Sequence, residues 1–212
     1  MFHRSGRTFG AYIGLLCLTT TAVSFVVQGR AVADTSAYEL YCPGTPVGTV
    51  VMNGVITTGS LSPSRSMKGK SFSITNYQTT VPLPGTLVEA LAALGATEAT
   101  GSMESSIDVS KARPASQQEM ATYSSPIPSS PTGNPLPVSA PASPTTVGPF
   151  KATSSRIVVK AASQMTMILD VVEGSTPLTM DCQAYPNNTL PTGITNQAPS
   201  GSPIAPVIAK SG

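Results

Sequence analysis

Tryptophan is absent, charged residues make up only 10% of the chain, and the single histidine is His3. His3 stands in a segment that reads as an export leader, so the mature chain has no histidine. That excludes Ser-His-Asp and Cys-His nucleophile systems, histidine proton shuttles and histidine metal sites. No G-x-S-x-G elbow and no S-x-x-K motif occurs either, which removes the familiar serine hydrolases. The cysteines show no C-x-x-C spacing. Redox-active and zinc-binding pairs are thereby disfavoured.

The N-terminus carries Arg4 and Arg7, then the apolar run FGAYIGLLCLTTTAVSFVV, then Ala31-Val32-Ala33. This is the architecture of a signal peptide over residues 1–33, with cleavage between Ala33 and Asp34. An uncleaved anchor is the alternative, since the run approaches the length that spans a bilayer. The threonine cluster and the A-x-A pattern favour cleavage. Lipidation at Cys17 is excluded because Leu16, not a small residue, precedes it. The expected location is extracellular or in the cell envelope, with no transmembrane span after cleavage. Of the twelve basic residues, three (Arg4, Arg7, Arg30) leave with the leader, so nine remain against ten acidic ones. A near-neutral mature chain has no electrostatic footprint for nucleic acid.

Of three cysteines, Cys17 lies in the leader. Cys42 and Cys182 remain, and two cysteines in an oxidising compartment are expected to form a disulfide.

Alternating or β-branched runs mark strands at Ala37 to Cys42, Gly48 to Ser62, Lys70 to Pro84, Ser105 to Arg113, Phe150 to Ala162, Ser163 to Gly174 and Thr176 to Cys182. Asn53-Gly54 signals either a hairpin turn or a bulge within one long strand. The stretch PGTLVEALAALGA predicts the one helix. Thr86 and Glu89 have the spacing of a capping box, Leu87, Val88, Leu91 and Leu94 share a face, and Gly95 is placed to end it. From Pro114 to Pro149 the chain holds nine prolines, so a proline-rich crossing loop is expected over 114–149, because proline gives no amide to a ladder. Residues 186–212 have little to bury and are expected to form a disordered tail. About seven strands with one capped helix argue for an all-β, antiparallel, immunoglobulin-like sandwich over 34–185.

The order of features is a signal peptide, YCPGTPVGTV, GKSFSITNYQTTVPLP, the helix ending ALGA, a proline-rich crossing, TVGPFKATSSRIVVKAA and MDCQAYPNNTLPTGI. It resembles a group of uncharacterised secreted proteins of actinobacteria, including mycobacteria, with a β-sandwich-like domain. The resemblance implies export and a paired cysteine, and carries no activity over.

Carboxylates are the remaining candidates for chemistry: Glu98 with Glu104, and Asp170, Glu173 and Asp181. Two carboxylates suffice for glycoside hydrolysis, but these fall at turns and strand ends, where solvated charge is the default, and no tryptophan offers a sugar platform. Met165, Met167 and Met180 read as core filling, not copper ligands. Asn187-Asn188-Thr189 fits the N-x-T acceptor pattern, and Leu190 to Gly193 (LPTG) lacks the tail a sortase signal needs. No catalytic residue, cofactor or metal is expected. Two functions fit: a non-catalytic module that binds an envelope or extracellular protein, glycan or lipid, or a carrier of an apolar ligand in a cavity between sandwich and helix.

Overall fold

The computed structural model describes residues 32–33, 36–64, 68–171 and 176–211. The leader and the Ala33/Asp34 junction lie outside the described residues, except that Val32–Ala33 form a short strand, β1. Glu173 also lies outside them. The chain continues through β2 (Tyr38–Thr45), β3 (Gly48–Ser62), β4 (Ser71–Leu83), α1 (Gly85–Ala93), β5 (Glu98–Val109), β6 (Ala112–Arg113), β7 (Ser116–Pro126), β8 (Leu136–Ala152), β9 (Val158–Asp170), β10 (Leu178–Pro186), β11 (Gly193–Thr195) and β12 (Val207–Lys210).

Every pairing is antiparallel, and the strands form one sheet. Starting at β2, one arm runs through β3 and β4 to β8, and the other through β10, β9 and β5 to β7. The outer strands of the two arms, β7 and β8, face each other without a ladder, so the sheet is a barrel closed everywhere but at this seam. The immunoglobulin-like sandwich expected from the strand count is not the arrangement found. The reason is strand length and bending: β3 has 15 residues and β8 has 17. Register shifts near Gly59 let β3 curve from one half of the barrel into the other. A bulged strand bends and twists more than a regular one.

Period-two alternation sends Tyr38, Leu40 and Cys42 inward from β2, Met165, Met167 and Leu169 from β9, and Leu178, Met180 and Cys182 from β10. These side chains build one core with Met52, Leu83 and the helix residues Leu87, Val88 and Leu91. A second core holds Ile74, Ile107, Ile157, Val159 and the Phe72–Phe150 stack, with Ile208 among them. Tyr41 opposes Gln183 across the β2–β10 ladder, which sets Cys42 directly opposite Cys182. The two are joined at S–S 2.01 Å across 140 residues of sequence.

The helix forms where its leucines predict, but not with the expected cap. Its N-cap is Pro84, whose carbonyl accepts from the amides of Leu87 and Val88. Thr86 is therefore inside the helix, exposed, and the Thr86/Glu89 capping box is not formed.

The proline-rich segment is also corrected: most of it is β7 and β8. Proline is tolerated on a strand whose outward amides have no partner. In the β4–β8 ladder Pro82 opposes Pro137, and neither can donate. By the alternation of antiparallel pairs, Pro137 directs its backbone towards β7. At that position the seam lacks a backbone donor. One side-chain bond, Ser125 Oγ to the Pro137 carbonyl at 3.3 Å, crosses it.

The tail is not disordered over its described residues. β3 pairs with β4 only from Ile56 onward, and β11 pairs with β3 at Thr49–Val51 beyond that point. β10 pairs with β9 only as far as Gln164, and β12 pairs with β9 at Val158–Lys160. The tail fills two splits in the sheet. Leu190, Ile208 and Ala209 are buried. Gly59, on β3, makes room for this: a Cβ there would lie 2.8 Å from Ile208 Cγ2 and 2.9 Å from Ile74 Cγ2.

Candidate functional site

Three segments distant in sequence meet at the helix end of the barrel. The β2–β3 turn brings Pro46 and Val47, α1 brings Leu87, Leu91 and Leu94, and the approach to β10 brings Pro177 and Leu178. Between them lies an open cleft of about 300 Å³ in which, among the described residues, Thr176 is the only lining residue with a polar side chain. Leu87 and Leu91 form its floor and are buried, whereas Val47 and Leu94 are 42% and 61% exposed. Leu94 is in phase with Leu91 but stands at the helix C-cap, so it lines the cleft instead of the core. Such a lining can take an apolar group out of water. Among its described lining residues there is no carboxylate, amine, imidazole or thiol.

On the outer face of the barrel, two polar depressions of about 310 and 290 Å³ share Gln164, Met165 and Thr166. Glu104 of β5 and Asp181 of β10 oppose Thr166 from its two sides. They are two strands apart, about 10 Å by strand spacing. Both are exposed, and the Thr166 hydroxyl donates to Asp181 Oδ1 at 2.8 Å. The other carboxylates do not join them. Glu98, six residues before Glu104, accepts from Ser124 Oγ at the far end of β5, and exposed Asp170 ends β9 opposite Thr100.

Burial itself keeps three phenols neutral. Desolvation pushes Tyr38, Tyr77 and Tyr123 well above the usual tyrosine range. Tyr123 donates to the Ile168 carbonyl at 2.9 Å. Met165, Met167 and Met180 are buried in the first core. Among the described residues no group of three or more His, Cys, Asp or Glu is placed to hold a metal ion.

The two tail motifs serve the fold. Asn187 Oδ1 accepts from the Gly54 amide at 2.8 Å, where β3 bulges with Gly54 at φ +76. Leu190 is buried and Gly193 opens β11. Sequence reasoning did not anticipate Glu39, which is fully buried on β2. Its carboxylate accepts from the amides of Thr189 and Leu190 and from the Thr189 hydroxyl, and so fastens the tail to the barrel.

No helix among the described residues is long and apolar enough to cross a membrane. A family model described as a family of unknown function (DUF6801) matches residues 41–190. No curated protein and no solved structure matches the chain.

Proposed function

The chain belongs to the DUF6801 family of unknown function, and from that premise we propose that it is an exported, non-catalytic binding module. It works outside the cell or in the cell envelope, in an actinobacterial setting, and engages a partner by taking an apolar group into the cleft beside α1. The observation that carries this reading is the cleft: Val47 and Leu94 stay exposed beside a floor of buried leucines, with one polar side chain among the described lining residues. Export is supported by the leader sequence, and a disulfide is compatible with an oxidising compartment. The non-catalytic reading is supported by the exposure of Glu98, Glu104, Asp170 and Asp181 and by phenols held neutral through burial.

The carrier reading has less support. A ligand carrier encloses most of its cargo in a pocket of about 300–1,000 Å³. Here the cleft is at the lower bound and open, and the interior is filled by two cores. The test is NMR shift mapping with short alkyl amphiphiles and with apolar peptides. Shifts should cluster at Val47, Leu91 and Leu94 and vanish in Leu94→Asp, with the circular dichroism unchanged. Shifts centred on the β7–β8 seam or on the Glu104–Asp181 face would overturn the assignment.

A further inference from the structure

Two hydrogen-bonded groups of hydroxyls lie in the barrel interior. Tyr38 OH bonds Thr57 Oγ1 at 2.8 Å and Thr57 bonds Thr79 Oγ1 at 3.0 Å; beside them Tyr77 OH bonds Ser105 Oγ at 3.2 Å. Each hydroxyl carries one proton, so the Tyr77–Ser105 pair makes one bond and has one proton left over. Which of the two holds that proton is decided by burial. Tyr77 is 3% exposed, and Ser105 is the hydrogen-bond partner of its hydroxyl. An unpaired proton there would suffer the full desolvation penalty of a buried donor. Tyr77 therefore donates to Ser105, and the spare proton belongs to Ser105.

At the Ser105 end lies a pocket of about 10 Å³. Tyr77, Thr79, Ser105 and Glu119 give it polar walls, and Ala121 of β7 and Ala140 of β8 flank it from the two sides of the seam. The Glu119 carboxylate is steadied by Gln117 Nε2 at 2.8 Å. A buried water needs roughly 10–15 Å³ and two to four polar partners. This pocket supplies that volume, a donor without an acceptor and a carboxylate. A larger polar ligand would not fit.

We propose that a single water molecule is bound in the seam pocket, accepting the Ser105 proton and donating to the Glu119 carboxylate. It completes the bonding of the buried Tyr77–Ser105 hydroxyl pair. The proline-bearing edge of β8 has a consequence here: where an unbroken ladder would close the barrel wall, the seam leaves room for the water.

The experiment is a high-resolution crystal structure of the full mature chain, paired with water-to-protein cross-relaxation NMR in solution. The expected result is one density peak within hydrogen-bond distance of Ser105 Oγ and Glu119, with a cross-relaxation signal to the Ser105 and Tyr77 hydroxyl protons. Ala121→Val, which adds bulk to the pocket from half-buried β7, should abolish both while the protein stays folded. A dry pocket in the wild type, with Ser105 donating to a protein acceptor, would overturn the proposal. So would a peak with the short, many-oxygen coordination of a metal cation, or a signal that persists in folded Ala121→Val. Should Ala121→Val fail to fold, the wild-type density and cross-relaxation alone decide.

Discussion

Ile208→Ala tests whether the C-terminal segment is part of the barrel. Ile208 is fully buried in the second core, and a Cβ on Gly59 would come within 2.8 Å of its Cγ2. The substitution removes three buried carbons, about 0.8 kcal/mol each in transfer free energy. The cavity left behind raises the loss into the range of about 2–5 kcal/mol. For a domain of this size that lowers the melting temperature by roughly 4–20 °C. Gly59→Ala pushes a methyl at Ile208 and Ile74 and should cost about 1–3 kcal/mol by overpacking. The two changes touch, so their effects should not add. Ile208→Ala relieves part of the clash, and the double variant should be more stable than the sum predicts by at least about 0.5 kcal/mol. Urea denaturation of the four proteins gives the cycle, with exposed Met120→Ala as a control expected within about 0.5 kcal/mol of wild type. If Ile208→Ala is as mild as the control, or the cycle is additive, the tail does not pack against β3 and the reasoning fails.

Replacing Cys42 or Cys182 by alanine should cost about 2–5 kcal/mol, read from denaturation midpoints; free alkylation of both thiols in the native protein would contradict this. Leu91→Ala should cost about 2–5 kcal/mol, whereas Thr86→Ala should stay within about 0.5 kcal/mol because Thr86 makes no capping bond; equal losses would restore the capping box. Stability should fall as pH rises past about 10. The unfolded phenols ionise there while folded Tyr38, Tyr77 and Tyr123, with pKa values raised by burial, stay protonated; absorbance at 295 nm should show these three ionising only with unfolding. Purified protein should not turn over ester, peptide, glycoside or phosphate substrates. Activity that survives repurification and disappears on mutating Asp170, Glu173 or Asp181 would refute the non-enzyme proposal.

How much of this was legible depended on which forces the sequence exposes. Alternation in Tyr38-Leu40-Cys42 and Met165-Met167-Leu169 reports one buried face, and the structure buries that face. Alternation cannot say whether two sheets face each other or one sheet curls, since both bury one side of each strand; the difference lies in the bends near Gly54 and Gly59. The helix was visible from Leu87, Val88 and Leu91. Its start was not, because Pro84 offers its carbonyl two residues ahead of the threonine that matched a capping pattern. Proline content suggested a loop at 114–149, yet a strand at an unpaired seam loses little by lacking outward amides. In the tail, backbone pairing is blind to composition, and a few residues such as Leu190 and Ile208 carry the burial. Cys42 and Cys182 pair in sequence reasoning by elimination; register explains why they meet. The cleft was illegible because its walls come from residues near 47, 91 and 177.

Recovery of native protein from culture is the sharpest test of the cleft as a binding site, with wild type and Leu94→Asp compared side by side and every co-purifying component identified by mass spectrometry. The expected result is a mature chain beginning at Asp34 outside the cytoplasm, carrying a partner with an apolar group that is absent from equally folded Leu94→Asp. A partner retained undiminished by Leu94→Asp would contradict the cleft as the binding site, and an intact N-terminus found only in the membrane fraction would contradict release by cleavage.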